Sequence, residues 1–142
     1  MMKNLVMIAA AMLLTTACSE QAPQAATTSV SDNQEIALNK GAKWKVNEEM
    51  KPYIQTAQEG LAKYMERNNG DYKAFALCLK EQNTALIQSC TMTGAAHDEL
   101  HKWLHPHLEL VDQLEQATTA EEAQETLKAL ESSFRTYDQY FE

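Results

Sequence analysis

The sequence predicts an all-α fold, an antiparallel up-down-up-down four-helix bundle behind a disordered N-terminal tether. Three observations carry this expectation. From about Asn47 onward, apolar residues recur at spacings of three and four, and no run of alternating β-branched residues interrupts them. The periodic stretches are separated by short breaks, and helices joined by short connections pack antiparallel. Residues 18–46 show no apolar period and are rich in Ser, Thr, Gln and Ala, a composition that buries too little surface to offset the entropy of ordering.

The chain opens with MMKNLVMIAAAMLLTTACSE. Lys3 gives a positive start, and Leu5 to Leu14 an apolar run too short to span a bilayer comfortably, which reads as an export signal over residues 1–17. Ala17-Cys18 resembles the lipobox of bacterial lipoproteins, although Thr15 stands where that box usually has Leu. The resemblance implies that Cys18 carries acyl chains and tethers the protein to a membrane, and Ser19 after it suits the outer membrane. Ordinary cleavage at the same place is the alternative. The expected organisation is therefore a signal over 1–17, a lipid-anchored flexible tether over 18–46, and a bundle over 47–142 on the periplasmic side of the envelope. The last segment is long enough for one small core.

The first helix carries Met50, Tyr53, Ala57, Leu61 and Tyr64 on one face and stops at Asn69-Gly70. Pro52 suits a first turn, so the helix is expected to begin at about Lys51. Asp71 caps a second helix with Phe75, Leu79 and Leu86. The third carries Leu100, Leu104, His107, Val111 and Leu114, widened by Trp103 and Leu110. Pro106 either kinks this helix or divides it into two. The fourth has the clearest start, a Thr119/Glu122 capping box, and then Ala123, Leu127, Leu130, Phe134, Tyr137 and Phe141 in heptad spacing.

With Cys18 acylated, Cys78 and Cys90 are the remaining thiols of an exported chain, and a disulfide between them is expected. On one straight helix they would stand about 18 Å apart, far beyond a bridge, so the second helix is expected to break near Asn83-Thr84. A redox-active pair fits less well, because such motifs space their cysteines more closely.

The formal charge of −8 comes from 20 acidic and 12 basic side chains. No basic cluster is present to hold a phosphate backbone, so nucleic acid is not an expected partner, whereas a basic redox or envelope protein is electrostatically suited. No nucleophile with a nearby base, phosphate-cradling Gly loop or convergent acid pair is evident, and an enzyme is not expected.

All the histidines fall within HDELHKWLHPH, positions 97–107. His97 and His101 are one helical repeat apart and form a possible two-imidazole clamp for Zn(II), Cu(II) or Ni(II), with His105 further round toward solvent; a solvated polar flank is the plainer reading. Asp98 after the first histidine departs from the zinc-protease pattern, which needs Glu there. His107 falls at the centre of the apolar stripe.

The segments HLELVDQLEQA and EAQETLKALESSFRTYDQYFE resemble the closing hairpin of the cytochrome b562 family, through Leu110, Val111, Gln113, Glu122-Ala123-Gln124, Leu130, Tyr137 and Gln139. The resemblance covers about a third of the chain. It implies a periplasmic bundle that holds haem b non-covalently between a Met on the first helix and a His on the fourth, and that shuttles electrons. Met50 is placed to match the Met, Trp103 and His107 replace aromatics that pack on the haem, and Asp138 occupies the position of the ligand His. A carboxylate is a hard anionic ligand where the family uses a soft pair, so a low-spin Met/His haem cannot form through position 138. Met50, Trp103, His107 and Asp138 are expected to meet at one end of the bundle, with Asp138 inside the apolar stripe as a partner for His107. Three functions stay open: a haem-binding electron carrier, a haem-free interaction protein of the envelope, and a His-based metal module.

Overall fold

The computed structural model describes residues 35–67 and 70–142. The expected signal peptide, the lipidation site Cys18 and the tether up to residue 34 lie outside the described residues. Four helices follow a short 3-10 turn at Glu48–Met50: α1 (Lys51–Arg67), α2 (Tyr72–Ser89), α3 (Ala95–Gln116) and α4 (Ala120–Tyr140). They form the four-helix bundle that the apolar periods predict.

The alternating direction of the helices is fixed by polar contacts at both ends. Before α1, the Asn47 side chain donates to the Ser89 carbonyl (2.9 Å) and accepts from the Thr91 N–H (3.2 Å), tying the start of α1 to the end of α2. At the other end the Tyr72 hydroxyl donates to the Ala117 carbonyl, joining the start of α2 to the end of α3. One core fills the space between, built from Met50, Ile54, Ala57 and Leu61, from Ala76, Leu79 and Leu86, and from the apolar faces of α3 and α4.

Local chemistry explains the boundaries. α1 begins at Lys51 with Pro52 in its first turn, where a missing N–H is harmless. The chain passes through Gly70 at φ +80°, a left-handed conformation open to glycine without steric cost. Asp71 then accepts a hydrogen bond from the Ala74 N–H at 3.1 Å and starts α2. α3 runs unbroken through Pro106, whose ring lies on the exposed side of the helix. Both halves of the capping box are formed at Thr119 and Glu122. Every heptad residue from Ala123 to Phe141 is buried.

Two expectations are corrected. Cys78 and Cys90 are both free, and no bridge joins them. α2 does not break between them: Asn83 is buried in its core face, and the Thr84 hydroxyl donates back to the Lys80 carbonyl (2.8 Å), a bond made within a continuing helix. The two positions therefore stand about 18 Å apart along the helix, out of disulfide reach.

The second correction concerns the tether. Residues 35–46 form a strap packed on the bundle, so the folded region extends back at least to Glu35 and does not start at Asn47. Trp44 N–H donates to the Tyr140 carbonyl, Glu142 N–H to the Trp44 carbonyl (both 2.8 Å) and Val46 N–H to the Glu142 carbonyl (2.9 Å). The Trp44 indole donates to the Ala37 carbonyl, the Glu99 carboxylate accepts the Ala37 N–H at 2.9 Å, and Val46 is buried. These backbone bonds satisfy groups at the end of α4 that would otherwise lack partners.

Candidate binding site

The residues proposed from the sequence divide into an interior group and a surface group. His107 lies on the core face of α3 and is 0 % exposed. Its Nδ1 meets the Ser133 hydroxyl at 3.0 Å. The Trp103 ring stacks on the imidazole at a centroid distance of 4.8 Å, and Phe134 meets it edge-on at 4.7 Å. Nε2 has no hydrogen-bond partner among the described residues. Burial pushes the His107 pKa down to about 4, so the ring is neutral near pH 7.

Trp103 completes the cluster. Its indole N–H donates to the Ser133 carbonyl at 2.8 Å, and Tyr137 sits 4.9 Å away, its hydroxyl pKa raised by burial and by Asp138. Ser133 therefore serves two side chains of α3, one through its carbonyl and one through its hydroxyl. Sequence reasoning missed it, because a serine flanking a heptad stripe carries no signal until the facing helix is known. Met50 is also fully buried in this core.

Asp138 does not join them. It is exposed, and its carboxylate accepts a hydrogen bond from Gln58 Nε2 of α1 at 2.9 Å. At 100° per residue, Asp138 lies at the edge of the α4 stripe on the side facing α1, where a short acidic side chain reaches water. Its expected partnership with His107 falls to Ser133.

A haem held between the positions of Met50 and Asp138 would need both side chains to face one space. An axial pair must present two donor atoms to one slot. Here the carboxylate faces outward to Gln58, while the His107 imidazole is enclosed by Trp103 and Phe134 at ring-stacking distance. Thioether and carboxylate are also mismatched donors for a reducible iron. The side chains as placed do not fit that group.

The space beside Asp138 is a groove between α1 and α4 of about 580 Å³. Leu61, Ala62, Met65 and Phe134 supply apolar surface, and Gln58, Glu59, Glu131, Arg135 and Asp138 supply the polar part. The volume lies in the ordinary range for ligand pockets. Arg135 is paired with Glu131 at 3.2 Å and Glu59 with Lys63 at 3.4 Å, so the carboxylate of Asp138 carries the remaining negative charge of the polar part.

Along the flank of α3, turning from the edge of the core toward solvent, three imidazoles form a row. His97 Nε2 and His101 Nε2 are 3.0 Å apart, and His101 Nδ1 and His105 Nε2 are also 3.0 Å apart. His97 and His101 are half-buried, and His105 is exposed. The His101 pKa is lowered by burial and then by His97 and His105, against an opposite pull from Asp98. Among the described residues, no group of three or more His, Cys, Asp or Glu side chains is arranged to hold one metal ion.

Fold and sites together define a small four-helix bundle with an aromatic, His-containing core and an open groove between α1 and α4. No family model, curated protein or solved structure matches the chain.

Proposed function

We propose that this protein is a haem-free binding module of the cell envelope, a bundle of cytochrome b562 type that engages its partner through the α1–α4 groove. The observation that carries this reading is the groove itself: apolar Leu61, Ala62, Met65 and Phe134 beside acidic side chains, in a chain of formal charge −8. Such a surface suits an amphipathic partner segment with basic residues along one edge, which lays its apolar side into the groove. The export signal and the Ala17-Cys18 lipobox support a position on the periplasmic side of the outer membrane.

Ala62→Trp places a large side chain in the groove from an exposed helical position, so the fold is retained. Pull-downs from an envelope fraction with the two proteins should recover a specific partner with the wild type and lose it with the variant. Equal recovery would remove the groove as the docking site.

The electron-carrier reading retains one supporting observation, the buried Nε2 of His107, which has no hydrogen-bond partner among the described residues. Hemin titration decides between the two. The interaction module gives no sharp Soret band, whereas a band abolished by Met50→Ala or His107→Ala would make the protein a haem carrier.

A further inference from the structure

We infer that His97 and His101 form a binding site for a divalent late first-row transition ion, Cu(II) before Zn(II), and that His105 is the positioning residue that prepares His101 to bind it. This stands apart from the groove, since it involves a flank of α3 and none of the groove residues.

The geometry carries the inference. Side chains four apart on a helix share a face, and here two Nε2 atoms face each other at 3.0 Å. Two nitrogens each about 2.0 Å from one ion stand about 2.8 Å apart at a right angle and about 3.3 Å apart at the tetrahedral angle. The observed separation lies between these values, so the spacing suits a square-planar or a tetrahedral ion once each ring turns by about 40° to aim its lone pair off the Nε2–Nε2 line. Water or an external donor supplies the remaining positions. The acidic chain and the neighbouring Asp98 draw a cation toward this face. The order of ions follows the general preference of nitrogen sites, in which Cu(II) exceeds Ni(II) and Zn(II).

His105 acts through a proton. For His101 to offer the Nε2 lone pair, its own hydrogen must reside on Nδ1, and that atom needs an acceptor. His105 Nε2 lies 3.0 Å from it. An Nδ1–H donated to His105 fixes the ring orientation, makes His101 Nε2 the free donor and raises its basicity, as second-shell partners do for metal-bound histidines. His97 meets the same requirement by carrying its hydrogen on Nδ1. The unloaded pair shares one Nε2–H across the gap, and the ion takes that hydrogen's place once the tautomer changes.

Titration of the purified protein with CuSO4, followed by calorimetry and electron paramagnetic resonance, tests both parts. One equivalent should bind, with hyperfine structure from two imidazole nitrogens, and His97→Ala or His101→Ala should abolish it. His105→Ala should weaken binding about tenfold while keeping the two-nitrogen signal, since loss of an outer partner typically costs about 10- to 100-fold. His105→Gln, whose side-chain oxygen restores the acceptor, should recover most of the loss. No binding by the wild type, or equal binding by the His97→Ala/His101→Ala double variant, overturns the site. A three-nitrogen signal, or a His105→Ala affinity equal to wild type, overturns the role given to His105.

Discussion

His107 is the residue whose chemistry is most constrained. A fully buried imidazole with one satisfied nitrogen must remain neutral, and its pKa of about 4 expresses that requirement. In the unfolded chain the same group titrates near the ordinary histidine value, so below that value the unfolded state binds a proton that the native state refuses. The contribution to stability is complete above about pH 6.5 and declines as the pH falls toward 4, by up to about 3 kcal/mol. Urea midpoints measured between pH 7 and 4 should show this loss. His107→Phe keeps the aromatic volume and removes the unpartnered Nε2. It should alter stability at pH 7 by less than about 1.5 kcal/mol and flatten the acid dependence. An equally steep acid loss in the variant would show that other groups carry it. His107 was legible in the sequence, since it sits at the centre of a stripe defined by Leu100, Leu104 and Val111. Asp138 was misjudged because an angular position at a stripe's edge does not say whether the neighbouring helix closes over it, and α1 leaves that side open.

Among the elements, α4 was the most legible, because its start is written in a capping box and its buried face in a heptad. Thr119→Ala removes the hydroxyl that accepts the Glu122 N–H and should cost about 1 kcal/mol, read as a lower thermal midpoint. The strap at 35–46 was invisible, because backbone pairing with residues 140–142 needs no apolar period and its apolar anchors, Ile36, Trp44 and Val46, follow no helical spacing. Trp44→Ala should speed amide exchange at Ala42, Val46 and Glu142 and leave exchange in α3 unchanged; uniform acceleration would mean that the strap is integral to the core. α2 was misread for a different reason: the expectation of an oxidised pair forced a break on a helix whose own pattern contains none. Cys78 is exposed on that helix, so it should react with a thiol reagent in the native protein without reductant. Cys78→Ser should change stability by less than about 0.5 kcal/mol.

At the scale of the whole molecule, the packing between helices is uneven, and a groove of about 580 Å³ separates α1 from α4. α3 and α4 share the Trp103, His107, Phe134 and Tyr137 cluster, and α2 is held to α3 by Lys80 with Asp112 and Glu115 as well as by its core face. Between α1 and α4 the groove replaces part of that packing, and the Gln58–Asp138 hydrogen bond spans its upper edge at the surface, where it contributes little. Segments with less buried apolar surface open at lower free energy than the global transition. Native-state hydrogen exchange should therefore show the amides of α1 opening before those of α3 and α4. Ala62→Leu adds apolar area inside the groove and should raise α1 protection by roughly 1 kcal/mol, while slowing the capture of any partner that uses the same surface. Coincident opening free energies for α1 and α3 would mean that the groove costs the bundle no cohesion, and α1 would then be as rigid a wall for the binding surface as α4.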